Sequence, residues 1–273
     1  MSNRFVRGKN KKSILDYNIK EIIMKSIGYF FCVLSLVMLW TNSLWSDDKS
    51  FIIGVEDLDY YPLYSTIEGQ YTGYSRDVLD AYAKSRGYTF HYKPYPVARL
   101  FYSFLDKQEV EFKYPDDIFW QKDKKEGKNV QYSKPIVNYV DGVLVLPENK
   151  GKTQLKKLGI IRGFTAWEYL DAIKNKEIVE EFSNEWDGLI NKTFKNRVDG
   201  AYCNISVVMY QLRERFKKPN GLVFDSKLPH SKSSYLMSTI KHPKIINDFS
   251  EWITQNQPFI NKLKLKYMVE AGF

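Results

Sequence analysis

The sequence is poor in cysteine and histidine. Its two cysteines are Cys32 and Cys203. Cys32 lies in an apolar segment expected to be removed, so Cys203 stands alone and no internal disulfide is expected. A lone cysteine of this kind reads as a small buried residue. The three histidines, His91, His230 and His242, show neither helix-facing nor His-x-His spacing, which argues against a dedicated metal site. There is no Gly-x-Ser-x-Gly elbow, no Cys/His pattern and no phosphate-cradling glycine loop. No resident cofactor is expected. The apolar run Ile27–Trp40 holds 14 residues, about 21 Å of helix, too short for a bilayer core of about 30 Å. Internal repeats and low-complexity tracts are also lacking.

That apolar run has a different meaning. Lys25 precedes it, Thr41-Asn42-Ser43 and Leu44-Trp45-Ser46 follow, and Asp47-Asp48 come next. This is the order of a secretory signal, with cleavage near Ser43 or Ser46. Residues 1–46 are expected to be an N-terminal extension plus signal peptide, with Met24 as an alternative start. Cys32 follows Tyr29-Phe30-Phe31, not the small residues a lipid-anchored cysteine needs.

The formal charge of +9 is unevenly placed. Residues 1–46 carry seven basic and two acidic residues, leaving +4 on the mature part. There the signs are mixed, as in Lys122–Lys128, so a solvated surface is expected and no nucleic-acid partner. Aromatic residues reach 16%, enough both to fill cores and to line pockets.

The mature part alternates strands and helices. Phe51–Val55 is a β-branched strand, Tyr60–Tyr64 an extended loop, and 68–73 a turn. Ser75 is expected to cap a helix over 76–86 that Gly87 ends. A strand follows over 88–92, a helix over 97–105, and a strand over 110–114 that Pro115 should break. Strands are further expected at 141–147, 158–162, 198–203, 222–224 and 235–240. Helices are expected at 165–175, 184–196, 206–216 and from Pro243 to Gln255. Strand–helix alternation implies parallel α/β packing with right-handed crossovers.

In order, several segments are similar to those of the family 3 extracellular solute-binding proteins, the polar amino-acid binders of ABC importers. Tyr61-Pro62-Leu63-Tyr64 resembles the family's Pro-Pro-Phe loop, and Gly73-Tyr74-Ser75-Arg76-Asp77 its Gly-Phe-x-x-Asp helix start. Tyr132-Ser133-Lys134-Pro135 resembles Phe-Ser-x-Pro-Tyr, and Gly142-Val143-Leu144-Val145 the first inter-lobe strand. Leu158–Thr165 looks like the second-lobe strand and Gly-Thr helix start. Arg197-Val198-Asp199-Gly200-Ala201 resembles Gly-Arg-Val-Asp-Ala. The resemblance covers about residues 50–270. It implies a two-lobed, type II periplasmic-binding-protein-like α/β fold, each lobe a mostly parallel sheet flanked by helices, joined by two crossing strands. Lobe 1 would comprise 47–138 and 239–273, and lobe 2 would comprise 139–238. It also implies a periplasmic monomer that captures a small polar or anionic, amino-acid-like solute for an ABC permease or a membrane sensor. The sequence departs from the family at Phe112–Trp120, which lacks the arginine that clamps an α-carboxylate.

Candidate ligand residues follow from chemistry and position. Arg162, Gly163 and Thr165 sit between a strand and an expected helix start, where N–H groups and the helix dipole favour an anion; Thr165 serves equally as a plain N-cap. Arg99 is a possible bidentate clamp on a carboxylate or a solvated helix residue. Together they would hold one acidic ligand across the cleft. Tyr61, Tyr64 and Tyr74 are stacking or core residues. Lys113, Tyr114 and Asp116 follow a strand end, Trp120 is a cleft wall, and Asn204 is an amine or hydroxyl binder or a turn residue. Glu56 ends the first strand. In the alternative reading, a cyclohexadienyl-dehydratase-like lyase, it would be the general acid. A third reading is a stand-alone sensory binding module without a transporter.

Overall fold

Seven residues of alternating bulk, Ser50–Glu56, form β1. The computed structural model of the chain describes residues 49–152 and 154–270. The expected signal segment and its cleavage site lie outside these residues. Among the described residues, no helix is long and apolar enough to cross a membrane.

After β1 the chain makes a hairpin of β2 (Asp59–Tyr60) and β3 (Tyr64–Ser65) where an extended loop was expected. Helix α1 (Tyr74–Arg86) follows. Ser75 does not cap it: Gly73 is the N-cap, at φ 104°. A Cβ there would lie 2.9 Å from the Tyr64 Cα, so only glycine admits this turn against the hairpin. Ser75 instead turns inward, with its hydroxyl 2.6 Å from that of Tyr114. Val78, Leu79, Tyr82 and Ala83 form the buried face of α1, and left-handed Gly87 ends it.

Strand β4 (Thr89–Tyr95) and helix α2 (Val97–Leu105) come next. Helix α2 rests on β1 at Gly54, where a Cβ would lie 2.6 Å from Leu100 Cδ1. Strand β5 (Phe112–Asp116) runs through Pro115 instead of stopping before it. The reason is in the ladder: β12 (Ser231–Thr239) pairs with β5 at Asp116 and Lys113, and its register shifts between Leu236 and Ser238, so no donor is demanded of Pro115.

The rest of the chain supplies α3 (Lys122–Lys125), β6 (Gln131–Tyr132), β7 (Val137–Val145) and β8 (Lys157–Ile161). The expected helix over 165–175 is a 3-10 turn, Trp167–Tyr169, and the short α4 (Leu170–Lys174). An unforeseen strand, β9 (Val179–Ser183), precedes α5 (Trp186–Phe194). Then follow β10 (Gly200–Asn204), α6 (Ile205–Glu214), β11 (Val223–Phe224), and, after β12, α7 (Pro243–Gln255) and α8 (Gln257–Tyr267).

The main sheet has the order β4-β1-β5-β12-β7-β10-β8-β9. One flank is parallel through β4, β1 and β5; the other is parallel through β10, β8 and β9. Between them β7 and β12 pair antiparallel. Strand β12 pairs with β7 through Ser231–Tyr235, then with β5 and β6 from Leu236 onward. The two long strands thus join the flanks, as the resemblance implies.

Candidate functional site

The C-terminal end of β1 delivers Glu56 into a cavity of about 180 Å³ at the junction of the flanks. The β2–β3 hairpin adds Tyr60 and Tyr64, β7 adds Tyr139 and Asp141, and β12 adds Tyr235. From the second flank come Tyr202, Cys203 and Asn204 at the end of β10, and Phe164, Thr165 and Trp167 beyond β8. Ligands of open α/β sheets sit at such carboxyl ends.

The walls are aromatic. Tyr139 and Tyr235 stack with centroids 4.3 Å apart, and Trp120 leans on Tyr235 at 5.7 Å. Tyr60 packs on Tyr64 at 5.2 Å and on Phe164 at 5.7 Å. The hairpin is also tied to the far flank, since Trp186 Nε1 donates to the Asp59 carbonyl at 2.9 Å.

Two carboxylates face this space. Glu56 is buried and accepts a 2.6 Å hydrogen bond from Tyr64. Burial raises its pKa, against the lowering effects of Lys113 and the Tyr64 bond. Asp141 lies directly opposite Asn204 in the β7–β10 ladder. Its Oδ1 is buried without a hydrogen-bond partner. Burial lifts its pKa to about 7, against a lowering interaction with the Asn204 side chain, whose amide nitrogen nevertheless makes no hydrogen bond to it. The Asn204 Oδ1 caps α6 by accepting from the Val207 N–H at 3.3 Å, while its Nδ2 has no partner. Cys203 is a free, buried thiol whose pKa is raised by burial and by Asp141.

Behind Phe101 and Trp120 lies a buried ion network. Lys113 Nζ sits 4.1 Å from the Phe101 ring centroid and 5.5 Å from that of Trp120. It lies 3.4 Å from Asp116 Oδ1, which Lys125 also contacts at 2.8 Å. Ser238 donates to Asp116, and Ser233 and Tyr139 donate to Asp117. Removing one partner from such a network costs about 3–5 kcal/mol, so these residues hold the floor of the cavity.

Of the residues singled out from sequence, Glu56, Tyr64, Trp120, Gly163, Thr165 and Asn204 line the cavity. Lys113 and Asp116 belong to the network behind it, and Tyr114 is buried against Ser75. Tyr74 is core, donating to the Ile136 carbonyl at 2.8 Å. Tyr61 packs on Tyr210 at 4.6 Å. The expected anion clamp is not assembled. Arg99 is exposed beside Tyr95, and Arg162 is exposed, bonded to Asn184 and lying over Phe182. No helix starts at Gly163–Thr165, so the dipole invoked for an anion is missing there. Among the described residues, no lysine or arginine lines the cavity. Among the described residues, no cluster of His, Cys, Asp or Glu could hold a metal ion.

Sequence reasoning passed over Asp141, Tyr60, Tyr139, Tyr202 and Tyr235. One signal was available for Asp141: a lone acid within the apolar run Val137–Val145.

No protein-family model and no curated protein matches the sequence. Solved structures do. An ancestral arginine-binding protein bound to arginine has a TM-score of 0.61 at 17% identity, over 80% of this chain and 98% of that one. A histidine kinase sensor domain with similarity to periplasmic binding proteins scores 0.61 at 16% identity, over 80% and 95%. The arginine-, lysine-, histidine-binding protein ArtJ from Geobacillus stearothermophilus scores 0.58 at 18% identity, over 80% and 94%. The chain therefore has the type II periplasmic-binding-protein-like fold.

Proposed function

We propose that this chain is an exported solute-binding protein whose inter-flank cavity takes a small organic cation. One observation carries the reading: Glu56 and Asp141 face an aromatic cavity that no lysine or arginine lines. An ammonium group gains there twice. It pairs with a carboxylate in a poorly hydrated site, and it lies against ring faces, each worth about 0.5–2 kcal/mol. An anion gains neither and meets two acids. The cation narrows the small polar or anionic, amino-acid-like solute expected from sequence and sets aside its anionic form. The cavity also offers no basic group to hold the acid substrates of the lyase reading. Structures of similar fold bind arginine in one case and L-glutamate in another, so the charge of the solute is argued from the cavity and not from the fold.

The two sheet flanks would act as lobes, with residues 47–138 and 239–273 in one and 139–238 in the other, closing around the solute by bending of β7 and β12. The protein would work as a periplasmic monomer. It would deliver its solute to an ABC permease or report it to a membrane sensor.

A thermal-shift screen of amines, cationic amino acids and dicarboxylates tests the solute class. A cation at about 100 times its Kd should add roughly 2.7 kcal/mol of stability. Stabilisation by dicarboxylates and by no cation would overturn the proposal.

A further inference from the structure

Two carboxyls, Glu56 and Asp141, face the cavity, so one ammonium can pair with only one of them. Among the described residues of the first flank, three carboxyls, Glu56, Asp116 and Asp117, are grouped with two lysines, Lys113 and Lys125. On the other side stands Asp141, with no cation among the groups that act on it. Burial leads the pKa shift of each carboxyl. Tyr60 feels both, since Asp141 and Glu56 each push its phenol up. The two carboxyls belong to different proposed lobes, Glu56 at the end of β1 within residues 47–138 and Asp141 in β7 within residues 139–238.

Asp141 Oδ1 constrains the ligand further. A buried acceptor without a partner is costly and calls for a donor. A quaternary ammonium has no N–H to give and would leave it orphaned. A primary ammonium can donate to it. An α-amino acid brings a carboxylate as well, and no basic side chain lines the cavity to receive it. Space sets the length. A cavity of about 150 Å³ holds benzene, so about 180 Å³ suits a chain of roughly six or seven heavy atoms. Stacked rings such as Tyr139 and Tyr235 offer apolar surface to methylenes.

We infer that the solute is a short aliphatic diamine, one ammonium held at Glu56 and the other at Asp141. This rests on the cation reading of the same cavity and adds the second charge. It also explains why each proposed lobe supplies an acid, Glu56 from β1 and Asp141 from β7. A ligand touching both flanks favours the closed arrangement, whereas one touching a single flank does not.

Calorimetry on the purified protein with pentane-1,5-diamine, pentylamine, L-lysine and tetramethylammonium decides the matter. These probes share a chain length or a charge and differ in the second ammonium, the carboxylate or the N–H donors. The diamine should bind at least tenfold tighter than each of the others, about 1.4 kcal/mol. Glu56→Gln and Asp141→Asn should each bring diamine affinity down towards that of pentylamine. A margin under tenfold over pentylamine overturns the two-ended inference yet leaves the cation site standing. L-lysine equal to or tighter than the diamine overturns it as well, in favour of an amino-acid site. If no probe binds while a dicarboxylate does, the cation reading itself falls. The wild-type comparison stands even where a variant fails to fold.

Discussion

Asp141 and Asn204 sit opposite one another in the β7–β10 ladder, and each holds a buried polar atom with no hydrogen-bond partner. Such pairs are uncommon in folded proteins, where nearly all buried polar groups are satisfied. Here the unsatisfied atoms line a cavity, so the fold carries a polarity whose use is to be found in a ligand.

Asp141→Asn should stabilise the unliganded protein at alkaline pH. Its folded pKa of about 7 lies above the ordinary aspartate value of 3.8. The folded state therefore binds the proton more tightly, and stability is lost as pH rises from about 4 to about 7. The shift corresponds to a penalty on the order of 4 kcal/mol at pH 8. Urea unfolding at pH 5 and pH 8 should show the variant gaining far more at pH 8. Equal effects at both would mean that Asp141 titrates as an ordinary carboxylate.

Cation binding should tighten from pH 6 to pH 8. Below about pH 7 Asp141 is protonated and must release its proton to pair with an ammonium. The tyrosines and the thiol around it, with pKa values raised by burial, stay neutral in this range. Affinity should fall by up to tenfold per unit below pH 7, and calorimetry in buffers of different ionisation enthalpy should detect proton release. A flat profile would remove Asp141 from the binding step.

Arg99→Ala and Arg162→Ala should leave both solute affinity and stability within about 0.5 kcal/mol of wild type. Both side chains are exposed and neither reaches the cavity. A hundredfold loss of affinity in either variant would restore the anion clamp.

Tyr64→Phe should cost about 1–3 kcal/mol, because Glu56 loses its buried 2.6 Å hydrogen bond. Glu56 should then hold its proton to higher pH and bind cations more weakly at pH 7. Chemical denaturation and calorimetry on the one variant measure both effects.

Expression with the native leader in a Gram-negative host should yield a soluble periplasmic protein shortened near Ser43 or Ser46. Mass spectrometry of the periplasmic fraction gives the cleavage point. A full-length, membrane-bound product would contradict export by a cleaved signal.

Local chemistry made much of this fold legible. Helix α2 occupies the segment its periodicity marks, Val97–Leu105, and Gly87 ends α1 because a left-handed residue is needed there. What stayed hidden depends on partners distant in sequence. Pro115 is tolerated in β5 only because β12 shifts register opposite it. Asp141 becomes a cavity residue only once β7 is paired with β10 on one side and β12 on the other. Arg162 and Arg99 fit an anion by chemistry alone, and the fold sends both outward.

The partner exchange along β12 has a mechanical consequence. Tyr235 is the last residue of β12 paired with β7, and Leu236 the first paired with β5. Tyr235 also touches the cavity. Any rotation of one flank against the other must flex β12 near this step. On the proposed function, a solute resting on Tyr235 would press at the fulcrum itself, and closure would need no relay of residues to carry the news of its arrival.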